Sequence, residues 1–120
     1  MKTIKFFDKT FGSYIRELRI SHEIGQRELA KKIGVAASYL SDIEKNKRSA
    51  PKIDIIKKIS LILKADLGLL NDLAGSSKKT LPPDIIDYIE KNPKIISLIR
   101  SAKNNNLSID EFEKIELSIN

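Results

Sequence analysis

The sequence predicts an all-α protein, and three observations point there. No stretch alternates cleanly between apolar and polar residues, as a half-buried strand would. The isoleucines between Ile53 and Ile62 recur at the three- and four-residue spacing of a helix face. Glycines, prolines and short polar runs then cut the chain into helix-length pieces.

Thr10 is a suitable N-cap for a first helix over 11–23, with Phe11, Ile15 and Leu18 on one face. Gly25 precedes a short second helix over 26–33, and Gly34 interrupts the pattern before a third over 37–45. The segment Asn46-Lys47-Arg48-Ser49-Ala50-Pro51 reads as a basic loop whose proline suits a helix start. A fourth helix over 52–63 turns Ile55, Ile56, Ile59, Ile62 and Leu63 inward. Asp66 caps a fifth over 67–74, which Gly75 is expected to stop.

The chain is thus expected to hold one compact domain over 1–75, a linker over 76–83 closed by Pro82-Pro83, and a helical segment over 84–120. In that last segment Ile85, Ile86 and Ile89 mark one helix. Ile95, Leu98, Ile99 and Ala102 mark a second after Pro93, and the run Asn104-Asn105-Asn106 reads as a loop. Ser108 with Glu111 forms a capping box for a last helix carrying Phe112, Ile115 and Ile119.

Composition narrows the functions. The 120 residues include no cysteine, so neither a disulfide framework nor a thiolate metal site is available. His22 stands alone near the end of the first helix and reads as a surface residue; no metal and no cofactor is expected. Asp110, Glu111, Glu113 and Glu116 read as helix capping and a solvated face rather than a catalytic pair. No glycine-rich phosphate loop or nucleophile elbow is present, and the chain is not read as an enzyme. No apolar run approaches the roughly 18 residues of a membrane span, and Met1–Phe7 does not resemble a secretory signal, so a cytoplasmic protein is expected.

Charge is unevenly placed. The net +6 divides into +8 over residues 1–80 and −2 over 81–120. The basic excess lies wholly in the first part, and it attracts polyanions through the summed field of its charges.

The most informative stretch is Gln26–Lys45, QRELAKKIGVAASYLSDIEK. A helix-turn-helix needs a small residue where its helices cross and a residue tolerant of positive φ in the turn. Ala30 and Gly34 stand four apart in those places. The positions that clamp the two helices must be apolar, and Leu29, Ile33, Val35, Leu40 and Ile43 fill them.

With its surroundings, this stretch resembles the Cro/C1-type (XRE-like) helix-turn-helix regulators over about residues 10–75. The segments FGSYIRELR, QRELAKKIGV and SYLSDIEKNKRSAP carry the likeness. The resemblance implies a five-helix, lambda-repressor-like domain that binds double-stranded operator DNA as a dimer, its third helix in the major groove. Two departures stand out. Gly25 replaces the usual Thr or Ser cap, and Ala36-Ala37 offers no side-chain hydrogen bond where many relatives place polar residues.

On that frame, Ala37, Ser38, Tyr39 and Asp42 are the candidate base-reading residues, expected to face outward because Leu40 and Ile43 face in. Ser38 can hydrogen-bond a base or phosphate, the Ala37 methyl can touch a thymine methyl, and Asp42 can accept from a cytosine amine. Tyr39 can reach the backbone with its hydroxyl. Asn46, Lys47, Arg48 and Lys52 are candidate phosphate contacts. The resemblance adds Gln26 as a phosphate contact and pairs Arg19 with Glu44 in an internal salt bridge.

The 84–120 segment is too short to bury much surface alone. Self-association through Phe112, Ile115 and Ile119 into a homodimer is expected, since two-fold operators call for two-fold proteins. The alternatives are an arm folded back on its own domain, a regulatory protein partner, the antitoxin of a toxin–antitoxin pair, or an interaction adaptor. The segment also loosely resembles the tails of repressors inactivated by a separate metalloprotease. A repressor of a palindromic operator is the leading reading.

Overall fold

A computed structural model describes residues 9–120 as helices and connecting turns, with no strand among them. The Met1–Phe7 segment, read above for a signal, lies outside the described residues. The helices are α1 (Phe11–Ser21), α2 (Gln26–Ile33), α3 (Ala37–Glu44), α4 (Ile53–Leu63), α5 (Leu67–Ser77), α6 (Pro83–Lys91), α7 (Lys94–Asn104) and α8 (Ile109–Ile119).

Side chains set several of these starts. The Thr10 hydroxyl accepts from Ser13 N–H and Ser13 answers at the Thr10 N–H, a reciprocal capping box. Asp66 accepts from Leu69 N–H at 2.8 Å, and Ser108 with Glu111 closes the box on α8. α1 stops at Ser21, short of the expected 23, because Glu23 takes a left-handed φ of 56°.

The chain divides after Ile86 into two compact units. In the first, Phe11, Ile15, Leu29, Ala30, Ile33, Leu40, Ile43, Ile56, Ile59, Leu63, Leu70, Leu73 and Ala74 form a single core. Every one of α1 to α5 contributes, and α3 packs against both α1 and α2, so the core joins the five helices through direct packing. Each fully buried aliphatic side chain is worth about 1.5–3 kcal/mol of transfer free energy.

The end of this unit corrects the expectation for residues 75–83. Gly75 does not stop α5; it lies buried inside the helix, which continues to Ser77. A Cβ at Gly75 would stand 2.7 Å from Pro82 N and 2.8 Å from the Leu81 carbonyl. Here glycine makes room for a crossing chain instead of ending a helix. Lys79, left-handed at φ 55°, supplies the turn, and Thr80 N–H returns to the Gly75 carbonyl at 2.9 Å. The division between units falls inside α6. Ser77 also accepts a hydrogen bond from Phe11 N–H at 3.1 Å, joining the last turn of α5 to the first of α1.

Asp72, on the exposed side of α5, has its carboxyl raised above the usual range, first by partial desolvation and then by like charge from Asp84 and Asp66. A raised folded-state value favours folding while the group is protonated, and that contribution is lost as pH rises through it. At neutral pH the ionised carboxylate is therefore a small cost. Asp72→Asn is expected to raise the unfolding free energy from a urea titration at pH 7 by about a few tenths of a kcal/mol, discounted for exposure. Below the ordinary carboxylate range the gain should vanish. An equal gain at both pH values would contradict this account.

The second unit, from Asp87, contains the end of α6 with α7 and α8. None of these helices buries a residue fully. Leu98, Ile99, Ala102, Leu107, Phe112 and Ile115 instead line an open apolar cleft of about 320 Å³.

Candidate nucleic-acid interface

The interface begins with how α3 is held. Leu29 and Ile33 of α2 and Leu40 and Ile43 of α3 are buried, and Ala30 is 2% exposed. Gly34 takes the left-handed conformation at φ 78°, ψ 33°, which glycine adopts without strain. Val35 N–H then donates to the Ala30 carbonyl at 2.9 Å, closing the turn.

A charged network locks the same two helices to α1. Arg19 Nε donates to Glu44 Oε2 at 2.8 Å and Arg19 Nη2 to Glu44 Oε1 at 3.0 Å, a bidentate pair. Arg19 Nη1 donates to the Ile24 carbonyl at 2.9 Å. The Glu44 side chain is 1% exposed and that of Arg19 12%. Glu44 pushes the Arg19 guanidinium further above its ordinary range. Gln26 Nε2 completes the network, donating to Glu44 Oε1 at 3.0 Å. Gln26 therefore stands at the start of α2 with one amide N–H already engaged inside the protein.

α3 ends in two crossed bonds. Asn46 N–H donates to the Ile43 carbonyl at 3.1 Å and Lys47 N–H to the Asp42 carbonyl at 2.8 Å, with Asn46 left-handed at φ 60°. This is a Schellman stop, in which asparagine is tolerated. Asn46 thus has a structural part that its residue type alone did not declare.

The outward presentation of α3 needs one correction. Ser38 is exposed, but Ala37, Tyr39 and Asp42 are half-buried. Ala37 precedes Leu40 by three residues and Tyr39 precedes Ile43 by four, so each shares part of a buried face. Both pack against the core edge. Asn46, Lys47, Arg48 and Lys52 are all exposed, and among the described residues no ion pair engages the three cations. Asn46, Lys47 and Arg48 line one open cleft with Thr10, Gly12 and Lys78. Lys78, assigned to a linker by sequence, belongs beside them.

The starts of α2, α3 and α4 share a second property. Their caps, Gly25, Ala36 and Lys52, make no side-chain hydrogen bond to the first turn. Those amides are left for water or an anion.

One positioning residue escaped the sequence reading. A Cβ on Gly12 would lie 2.1 Å from the Ile43 carbonyl oxygen, 2.8 Å from Asn46 Oδ1 and 3.1 Å from the Glu44 carbonyl. α1 therefore rests directly on the last turn of α3. A glycine in the first turn of a helix, where alanine would be favoured, was the available signal.

The helix-turn-helix family model matches residues 15–70. Among curated proteins, the chain is 30% identical over 92 residues to the uncharacterized HTH-type transcriptional regulator RghRB of Bacillus subtilis (strain 168), covering 77% of this chain and 66% of that one. It is 39% identical over 61 residues to the HTH-type transcriptional regulator SinR of the same organism, covering 51% and 55%. The match thus spans about half to two thirds of these relatives' lengths. Among solved structures, SinR in complex with DNA, described as the master regulator for biofilm formation, is 38% identical with a TM-score of 0.48. That alignment covers 51% of this chain and 97% of the other.

Proposed function

The chain belongs to the Cro/C1-type (XRE-like) helix-turn-helix family, and from that membership we infer a sequence-specific transcriptional repressor. It binds a palindromic operator as a homodimer, with α3 in the major groove and the α3–α4 loop on the phosphates. The observation that carries this reading is the combination of a rigidly clamped α3, presenting Ser38, with uncapped helix starts and the free cations Lys47, Arg48 and Lys52. The net +8 over residues 1–80 supports the same partner. A regulator of this kind works where the DNA is, in the cytoplasm.

The second copy is assigned to the α7–α8 cleft. Leu98, Ile99, Phe112 and Ile115 remain 45–67% exposed within one chain, a surface that suits self-association. Ile119, at 79%, lies outside the residues that line the cleft.

The test is selection from random duplex DNA with the full chain and with a Phe112→Asp, Ile115→Asp chain. The unmodified chain is expected to enrich an inverted repeat and to sediment as a dimer. The variant should sediment as a monomer and lose the repeat while retaining weak half-site binding. Enrichment of the same repeat by both would remove this cleft from the dimer contact. If neither chain enriches any sequence, the DNA reading fails and the adaptor or antitoxin reading replaces it.

A further inference from the structure

The Arg48 guanidinium carbon lies 5.0 Å from the centre of the Tyr39 ring, over its face. The two residues are brought together by the stop of α3: the left-handed Asn46 and the Lys47-to-Asp42 bond turn the chain so that Arg48 meets the helix it has just left. Tyr39 is half-buried and packs against the core edge, while Arg48 is exposed. One member of the pair is anchored and the other is free to bind.

We propose that Tyr39 is a positioning residue, whose ring face holds the Arg48 guanidinium beside α3 to meet a DNA phosphate. The proposal rests on the DNA-binding reading and deepens it by giving Tyr39 a role through Arg48 rather than through its own hydroxyl. An arginine is planar and stacks on an aromatic face while its N–H groups stay at the edge. Stacking therefore restrains the side chain without occupying its donors. An unrestrained arginine must lose its rotamer freedom on binding; a pre-stacked one has lost part of it already. The absence of any acidic partner for Arg48 among the described residues leaves its charge available.

The full chain is tested as Y39F, Y39L, R48Q and the Y39L/R48Q double variant. Binding to a fluorescein-labelled mixed-sequence duplex is measured by anisotropy over a range of salt concentrations. Leucine at 39 keeps an apolar filler at the core edge, and circular dichroism checks that each variant is folded. Y39F, which keeps the ring, is expected to bind as the unmodified chain does. Y39L should lose about three- to tenfold in affinity, the range of an exposed to partly desolvated cation–π contact. R48Q should lose at least as much and lower the salt slope by about one. The double variant should bind no worse than R48Q alone.

Equal weakness of Y39F and Y39L would place the work in the hydroxyl and overturn the proposal. Losses that multiply in the double variant would do the same, because independent residues do not share a contact. A second readout needs no DNA: the Arg48 side-chain proton resonances should carry a ring-current shift in the unmodified chain and in Y39F, and lose it in Y39L. If the unmodified chain shows no salt-dependent binding, the DNA reading itself fails and this proposal with it. If it binds and the variants do not couple, only the proposal falls.

Discussion

Arg19→Met should destabilise the first unit by about 3–5 kcal/mol, the cost of removing one partner from a buried ion pair. The Glu44 carboxylate would be left 1% exposed, with Gln26 Nε2 as its remaining side-chain donor. That surviving bond places the loss toward the lower end of the range. The pair itself contributes much less than its removal costs, because both charges had to be stripped of water to form it. The check is therefore a double variant: Arg19→Met with Glu44→Leu should regain most of what the single variant loses in a urea titration. A single variant within about 1 kcal/mol of the unmodified chain would show that the pair is better hydrated than its burial indicates.

Gly12→Ala should cost about 2 kcal/mol or more, although alanine is ordinarily the better helix former by roughly 1 kcal/mol. The new methyl would lie 2.1 Å from a backbone carbonyl, which no rotamer can relieve. α1 or the last turn of α3 must shift, and with it Asn46 and the basic loop that follows. The expected result is a lower urea midpoint together with weaker DNA binding at equal folded fraction. An unchanged or raised midpoint would mean that the two helices can separate freely, and the positioning role of Gly12 would be abandoned.

The two cases differ in how far the sequence announced them. Arg19 and Glu44 were legible through a likeness to known regulators, and Ala30, Gly34 and the surrounding aliphatics through spacing alone. Periodicity records which face of a helix is covered, so most of the core of α1 to α4 could be read from it. Leu18, Val35, Ile55 and Ile62 are nonetheless only half-buried, and Leu70, Leu73 and Ala74 of α5 were not picked out. Periodicity does not record which backbone will cross a helix, or how closely. Gly12 and Gly75 are both such crossings, and Gly75 was accordingly read as a stop when it is a clearance. The outward set on α3 shows the same limit from the other side. Tyr39 and Ala37 look free when only Leu40 and Ile43 are counted inward, but a short helix wedged against two others has a covered face wider than one stripe. The Tyr39–Arg48 contact was invisible for a third reason, since it depends on the left-handed turn at Asn46.

The hydrogen bond from Phe11 N–H to Ser77 Oγ spans an interval of 66 residues. Closing a loop of that size loses entropy that no local contact returns, so this bond has every reason to form late in folding and open early. It adds a polar fastening to the two ends of the five-helix unit, which already meet where α1 packs on α5 in the core. Fraying at the start of α1 and fraying at the end of α5 then become the same event, and exchange of the Phe11 amide with solvent becomes a gauge of both.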